Sequence, residues 1–190
     1  MNSYRTPKGS KTIVLDRDGV INQDSSTYIK SAEEWIPISG SIDAIARLHQ
    51  ANFRVIIASN QSGIARGYFD EAALTRMHDK MNSLVEDSGG VISAIFYCLH
   101  SPDAGCSCRK PKTGLLEQAE VEFDISLAGN YFVGDSLKDL QAATSFNMKP
   151  ILVRTGNGRQ TEVALSKEIR DQTRIFKDLK SAVNWILKKQ

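Results

Sequence analysis

A chain of 190 residues with 24 basic and 22 acidic side chains carries a formal charge of only +2. That balance leaves no electrostatic footprint for a nucleic acid or a membrane surface, and no apolar stretch is long enough to cross a bilayer. Apolar content of 41% and charged content of 24% suit one ordinary globular domain over residues 1–190. Met1 to Ser10 has no apolar core of signal-peptide length, so a cytoplasmic location is expected.

The predicted elements alternate strand and helix. Thr12-Ile13-Val14 is a short apolar, β-branched run that reads as a buried strand. Ser41 to Gln50 places Ile42, Ile45 and Leu48 at helical spacing, and Phe53 to Ala58 is a second buried strand. Asp70 is an expected N-cap for a helix carrying Leu74, Met77, Met81 and Leu84, which Gly89-Gly90 ends. Ile92 to Tyr97 is a third strand, followed by a helix over about Thr113 to Phe123. Asn130 to Val133 is a fourth strand, Leu137 to Phe146 a helix, and Pro150 to Val153 a fifth strand. Asn157 to Gln172 is polar and reads as a loosely packed excursion. A last amphipathic helix carries Phe176, Leu179, Val183, Ile186 and Leu187. Repeated βα units with apolar strands predict a parallel sheet covered by helices on both faces. Nothing extended and apolar demands a partner, so a monomer is expected.

Chemistry gathers at the carboxyl ends of four strands, where open α/β sheets form their ligand crevice. The first tip reads Asp16-Arg17-Asp18-Gly19. Two carboxylates so close repel unless a cation sits between them or one is protonated. The pair points to a hard-metal site, to a nucleophile with an acid/base partner, or to both, against the alternative of two solvated acids. The second tip, Ser59-Asn60-Gln61-Ser62-Gly63, offers N–H and hydroxyl donors to an anion, although on its own it also fits a plain turn. The third ends at Arg109-Lys110, two cations able to hold a phosphate. The fourth, Gly134-Asp135-Ser136-Leu137-Lys138-Asp139, can complete an oxygen-rich Mg²⁺ site through Asp135. Asp139 can orient Lys110 or a metal-bound water, or merely favour the first turn of a helix.

Three cysteines fall between positions 98 and 108, and with His100 they make a Cys₃His set: Cys98, His100, Cys106 and Cys108. A one-residue spacing puts both members of a pair on one side of an extended segment, and Pro102 and Gly105 allow a turn between the pairs. These donors suit a structural tetrahedral Zn²⁺ with no open position, which would stiffen the loop carrying Arg109 and Lys110. His49 and His78 lie on predicted helices and read as surface or packing residues.

The pattern resembles the haloacid dehalogenase superfamily of phosphohydrolases, whose four motifs look like Asp16-x-Asp18, Ser59, Lys110 and Gly134-Asp135-x-x-x-Asp139. More narrowly it is similar to the branch containing the heptose-bisphosphate 7-phosphatases and histidinol-phosphate phosphatases. The carrying segments are Asp16 to Asn22, Ser59 to Gly67, and Cys98-x-His100 through Cys106-x-Cys108-Arg109-Lys110-Pro111. The resemblance implies a Rossmann-like three-layer sandwich with a central parallel sheet, no large cap domain and a zinc-bound loop. It implies Mg²⁺ on Asp16, Asp18 (through its main-chain carbonyl) and Asp135, with Asp16 as nucleophile and Asp18 as general acid and base. It further implies that Ser59, Arg109 and Lys110 act on the transferring phosphoryl, with Asp139 in support. Asp24, Ser25, Ser26, Thr27, Asn60, Gln61, Arg66, Arg109, Lys110 and Ser136 are the expected contacts of a small soluble sugar phosphate. Ser136 stands where some relatives carry a substrate-contacting lysine. The implied reaction removes the 7-phosphate of a heptose bisphosphate in ADP- or GDP-heptose biosynthesis; histidinol phosphate is the alternative substrate. A zinc-containing binding module on an inactive scaffold is a rival of another class, against which the intact Asp16, Asp18, Lys110 and Asp135 argue.

Overall fold

The computed structural model describes residues 11–189. The stretch 1–10, read above for a leader, lies outside them. Six parallel strands form one sheet in the order β3-β2-β1-β4-β5-β6: β1 Thr12–Leu15, β2 Arg54–Asn60, β3 Ala94–Cys98, β4 Tyr131–Gly134, β5 Lys149–Val153 and β6 Arg174–Phe176. The helices are α1 Ser41–Gln50, α2 Glu71–Asp87, α3 Gly114–Phe123, α4 Leu137–Ser145, α5 Gly158–Ala164, α6 Lys167–Gln172 and α7 Leu179–Lys188, with a 3₁₀ turn at Pro102–Ala104.

Side-chain alternation along the strands divides the core in two. Ile13 and Leu15 of β1 and Val55 and Ile57 of β2 face one cluster with Ile45, Leu48, Leu74, Met77, Leu179 and Val183, from α1, α2 and α7. Val14, Ile56, Ala58 and Phe132 face the other, with Leu115, Leu116, Ala119, Ala142 and Ala143, from α3 and α4. The result is the expected three-layer sandwich. Because both faces are covered, β1 has no polar side and all four of its residues are buried.

The expected start of α2 is found: Asp70 caps it, its Oδ1 accepting the Ala73 N–H at 2.7 Å. Two expectations are corrected. Asn157–Gln172 is not a loose excursion but the helices α5 and α6, and α5 buries Thr161. Phe176 belongs to strand β6 rather than to the last helix, where it meets Trp185 of α7 with ring centroids 5.6 Å apart. No cap domain interrupts the described residues. The long connection between β1 and α1 holds only the isolated bridges Asp18–Asn22 and Asn22–Pro37.

Candidate active site

Strand β1 has β2 and β4 as its two neighbours, so the chain leaves the sheet in opposite directions on either side of it. That switch point opens a crevice at the strand tips. Asp16 follows β1 directly and is anchored by its N–H to the Val133 carbonyl at 2.9 Å. Beneath it lies Lys110, only 3% exposed. Its Nζ reaches Asp16 Oδ1 at 2.9 Å and Asp139 Oδ1 at 2.6 Å, and donates to the Ala58 carbonyl at 2.7 Å. All three ammonium protons therefore have a partner. Burial by itself would drive Lys110 toward neutrality, but Asp139 and Asp16 outweigh it and hold the lysine more firmly charged than usual. Asp139 therefore orients Lys110, and it also serves the first turn of α4.

One cation does not balance this pocket. Ligand oxygens of Asp16, Asp135 and Asp139 all lie within 4.8 Å of one another. Burial, and then the charge of Asp139, raise the Asp16 carboxyl well above its ordinary range despite Lys110. Burial, with Asp139 and Asp24, pushes Asp135 up to about 7. Carboxylates crowded to this degree hold protons unless a cation takes their place, and a hard, oxygen-ligated ion such as Mg²⁺ fits the donor set. Asp135 is placed by its surroundings as much as by β4. Its Oδ2 accepts the Asn157 N–H at 2.7 Å and lies against the backbones of Gly19 and Gly156. A Cβ built on either glycine would overlap the carboxylate, and both have positive φ, 78° and 54°. Asp139 and Ser136 close the first turn of α4, with the Ser136 N–H and hydroxyl donating to Asp139 Oδ2 at 3.0 and 2.6 Å.

The Asp18 carboxylate is not part of the acidic cluster. Its oxygens accept from Arg17 Nη2 at 3.0 Å each, from Asn22 Nδ2 at 2.9 Å and from Gln61 Nε2 at 2.8 Å. Burial would raise this acid; the charge of Arg17 and the three donors more than offset that, and the net direction is down.

These groups line a cavity of about 450 Å³. Of the candidates from sequence, Asp16, Asp18, Asp24, Ser25, Ser59, Asn60, Gln61, Arg109, Lys110, Asp135, Ser136 and Asp139 line it, whereas Ser26, Thr27 and Arg66 do not. Asn60 and Gln61, both expected substrate contacts, are engaged with the protein's own site residues. Asn60 grips the Lys110 main chain from both ends of its amide, at 3.0 and 3.1 Å. Gln61 donates to Ser59 Oγ and Asp18, and accepts from Arg17. Ser59 Oγ accepts from Gln61, and its own O–H has no protein acceptor among the described residues. Arg17, Tyr28, Ile29, Ser62, Leu137, Lys138 and Asn157 also line the cavity and were not among the candidates. Lys138 carried a signal, three residues after Asp135; Asn157, reached only through the closing of the β5–α5 turn, carried none.

The cysteine loop lies beside this cavity. Cys98 Sγ is 3.6 Å from Cys106 Sγ and 3.5 Å from His100 Nδ1, and His100 Nδ1 is 3.2 Å from Cys108 Sγ. Four donors around a tetrahedral Zn²⁺ with Zn–S near 2.3 Å sit roughly 3.4–3.8 Å apart, so this Cys₃His cage fits zinc with little adjustment. Arg109 follows at once and donates from Nη1 to the His100 carbonyl at 3.4 Å, tying the cationic tip to the cage.

A family model described as HAD-hydrolase-like matches residues 107–182. The D-glycero-beta-D-manno-heptose-1,7-bisphosphate 7-phosphatase of Pseudomonas aeruginosa is 51% identical over 92% of this chain and 97% of its own length. The chain belongs to the haloacid dehalogenase-like hydrolases. The enzyme of the same name from Neisseria meningitidis is 46% identical over 93% of this chain and 95% of its own. A crystal structure of the D,D-heptose 1,7-bisphosphate phosphatase from B. bronchiseptica, complexed with magnesium and phosphate, superimposes with a TM-score of 0.90 at 49% identity. It covers 95% of this chain and 99% of that one. Among the described residues no large cap interrupts this fold, and the cavity is lined mainly from the loops at the strand tips.

Proposed function

We propose that this chain is a Mg²⁺-dependent phosphatase that removes the 7-phosphate of D-glycero-β-D-manno-heptose 1,7-bisphosphate. The observation that carries the reading is near end-to-end similarity to phosphatases of that name, together with an intact Asp16–Lys110–Asp139 and Asp135 cluster. Asp16, Asp135 and the Asp18 carbonyl would hold the ion. When bound, Mg²⁺ offsets the repulsion between an anionic nucleophile and an anionic phosphate.

Asp16 Oδ1 is occupied by Lys110 and by the Arg17 N–H at 2.7 Å, which leaves Oδ2 open for chemistry. Attack by Asp16 on phosphorus forms an aspartyl-phosphate as the bond to the sugar oxygen breaks, and the minor protonated form of Asp18, whose pKa Arg17 holds low, supplies the proton that oxygen needs. Asp18, now unprotonated, then takes a proton from the water that attacks phosphorus and frees Asp16. Ser59 donates to the phosphoryl oxygens, and the cation of Lys110 stands beside the charge that builds there. Arg109 and the exposed Lys138 stand on the cavity wall as the cations for the second phosphate, Lys138 supplying the charge that Ser136 lacks. The reading carries with it a single-domain, cytoplasmic monomer acting on a soluble sugar phosphate, as composition and balanced charge suggest.

Initial rates of phosphate release with Mg²⁺ test the substrate. The β anomer of heptose 1,7-bisphosphate is expected to exceed both the α anomer and histidinol phosphate in kcat/KM. Histidinol phosphate as the better substrate would overturn the assignment.

A further inference from the structure

Behind Asp18 stands a pair of residues that the reaction above does not use. Arg17 is 1% exposed, and its guanidinium is held on every side. Nε and Nη2 grip Asp18 at 3.0–3.2 Å, Nη2 also donates to Gln61 Oε1 at 3.0 Å, and Nη1 faces His78 Nε2 at 3.4 Å. A guanidinium only donates, so His78 Nε2 is the acceptor, and the ring is neutral with its proton on Nδ1. The surroundings agree: burial first, and then the positive charge of Arg17, hold His78 down at about 4. The imidazole is buried on α2, its ring tilted against Tyr97 at 5.4 Å. A helix that contributes nothing else to the strand tips thus aims a neutral acceptor at the far end of the guanidinium that fixes Asp18.

We infer that Arg17 and His78 are a positioning pair for Asp18: His78 fixes the guanidinium plane, and the guanidinium fixes the carboxylate that exchanges its proton with the leaving oxygen. Arg17 borders the cavity beside Asp18 and His78 does not, and both act through Asp18. The inference rests on the phosphatase reading of the site. It follows from geometry rather than from stability, because a buried ion pair adds little that apolar packing would not. What the pair adds is direction. A fork with two donors on one carboxylate sets the carboxylate plane, which a lysine's single point of charge does not.

The test separates acid catalysis from folding. An alkyl phosphate needs a proton on its leaving oxygen, whereas p-nitrophenyl phosphate leaves as a stable phenolate and does not. General acid catalysis is worth ~10²–10⁴ in rate, so partial misplacement of the acid should cost roughly tenfold or more. In His78→Leu, single-turnover transfer from heptose bisphosphate is expected to slow by about that factor, with KM within about twofold of wild type. The first-step burst of p-nitrophenolate is expected to keep its wild-type rate. His78→Gln, which restores an acceptor, is expected to recover most of the loss. Arg17→Lys, which keeps charge without the fork, is expected to show the same split. An equal loss on both substrates, or no loss on either, would overturn the inference. Should wild type prove inactive on the heptose bisphosphate, the substrate assignment fails. The same comparison on whichever alkyl phosphate it does hydrolyse still decides the positioning role.

Discussion

Replacing Lys110 by methionine removes the one ammonium that faces Asp16 and Asp139, at 2.9 and 2.6 Å, in a region where Asp139 is 1% exposed. Methionine fills similar space, so the effect is electrostatic. Breaking a buried pair by deleting one partner costs about 3–5 kcal/mol, and here two acids lose the same cation. We expect a loss near the upper end of that range at pH 7.5, measured as urea unfolding with zinc present and magnesium absent. The loss should shrink on acidification. Without the lysine the Asp16 carboxyl, already raised by burial and by the charge of Asp139, is raised further, so the native state holds an extra proton, and stability falls as pH rises between the unfolded and folded values of that group. The lysine's own contribution is constant over this range, because its raised pKa leaves it charged well above pH 7.5. Adding Asp139→Asn to Lys110→Met should return much of the loss, since it removes one of the stranded charges. A Lys110→Met protein within about 0.5 kcal/mol of wild type at pH 7.5, or losses that simply add in the double variant, would refute the reasoning.

Three further outcomes follow from the site. Asp16→Asn should abolish turnover and, on acid quench, show no phosphoryl adduct on the peptide carrying residue 16 by mass spectrometry; wild-type turnover in this variant would remove Asp16 as nucleophile. Asp135, raised to about 7, makes the metal-free protein lose stability as pH climbs from about 4 to 7, by about 4 kcal/mol at most, because the native state holds the extra proton. Denaturation midpoints with EDTA should show this slope and Mg²⁺ should flatten it, while a stability that rises over that window would contradict the placement of Asp135. Stripping zinc with a chelator should lower both the melting temperature and the turnover, zinc restoring each; a stripped protein unchanged in both would leave the cage without a role in holding Arg109 and Lys110.

Much of the fold was legible because the buried strands are short continuous apolar runs and the helices keep their period. Asp70, Gly89 and Gly90 mark the ends of α2 where the structure has them. Strand β6 was not legible: three residues, one of them the exposed Arg174, make no pattern, and what selects them is pairing with β5. The helices α5 and α6 hide in a polar stretch because they bury almost nothing beyond Thr161. At the site, the residues that carry charge could be named from strand tips, since the topology forces tips to converge. What sequence could not assign was direction. Asn60 and Gln61 look like ligands for a sugar but hold Lys110, Ser59 and Asp18 in place. His78 looks like a packing residue, and only the helix that carries it shows that it faces Arg17. Arg66 is charged and near the second tip in sequence, yet it lies outside the cavity lining.

The most direct measurement is ³¹P NMR of the product formed from the β anomer of heptose 1,7-bisphosphate with Mg²⁺. The account predicts that the C7 phosphate resonance disappears with the rise of inorganic phosphate, while the anomeric phosphate stays, and that Asp16→Asn leaves the spectrum unchanged. Loss of the anomeric phosphate instead, or an unchanged spectrum with the wild-type protein, would contradict it.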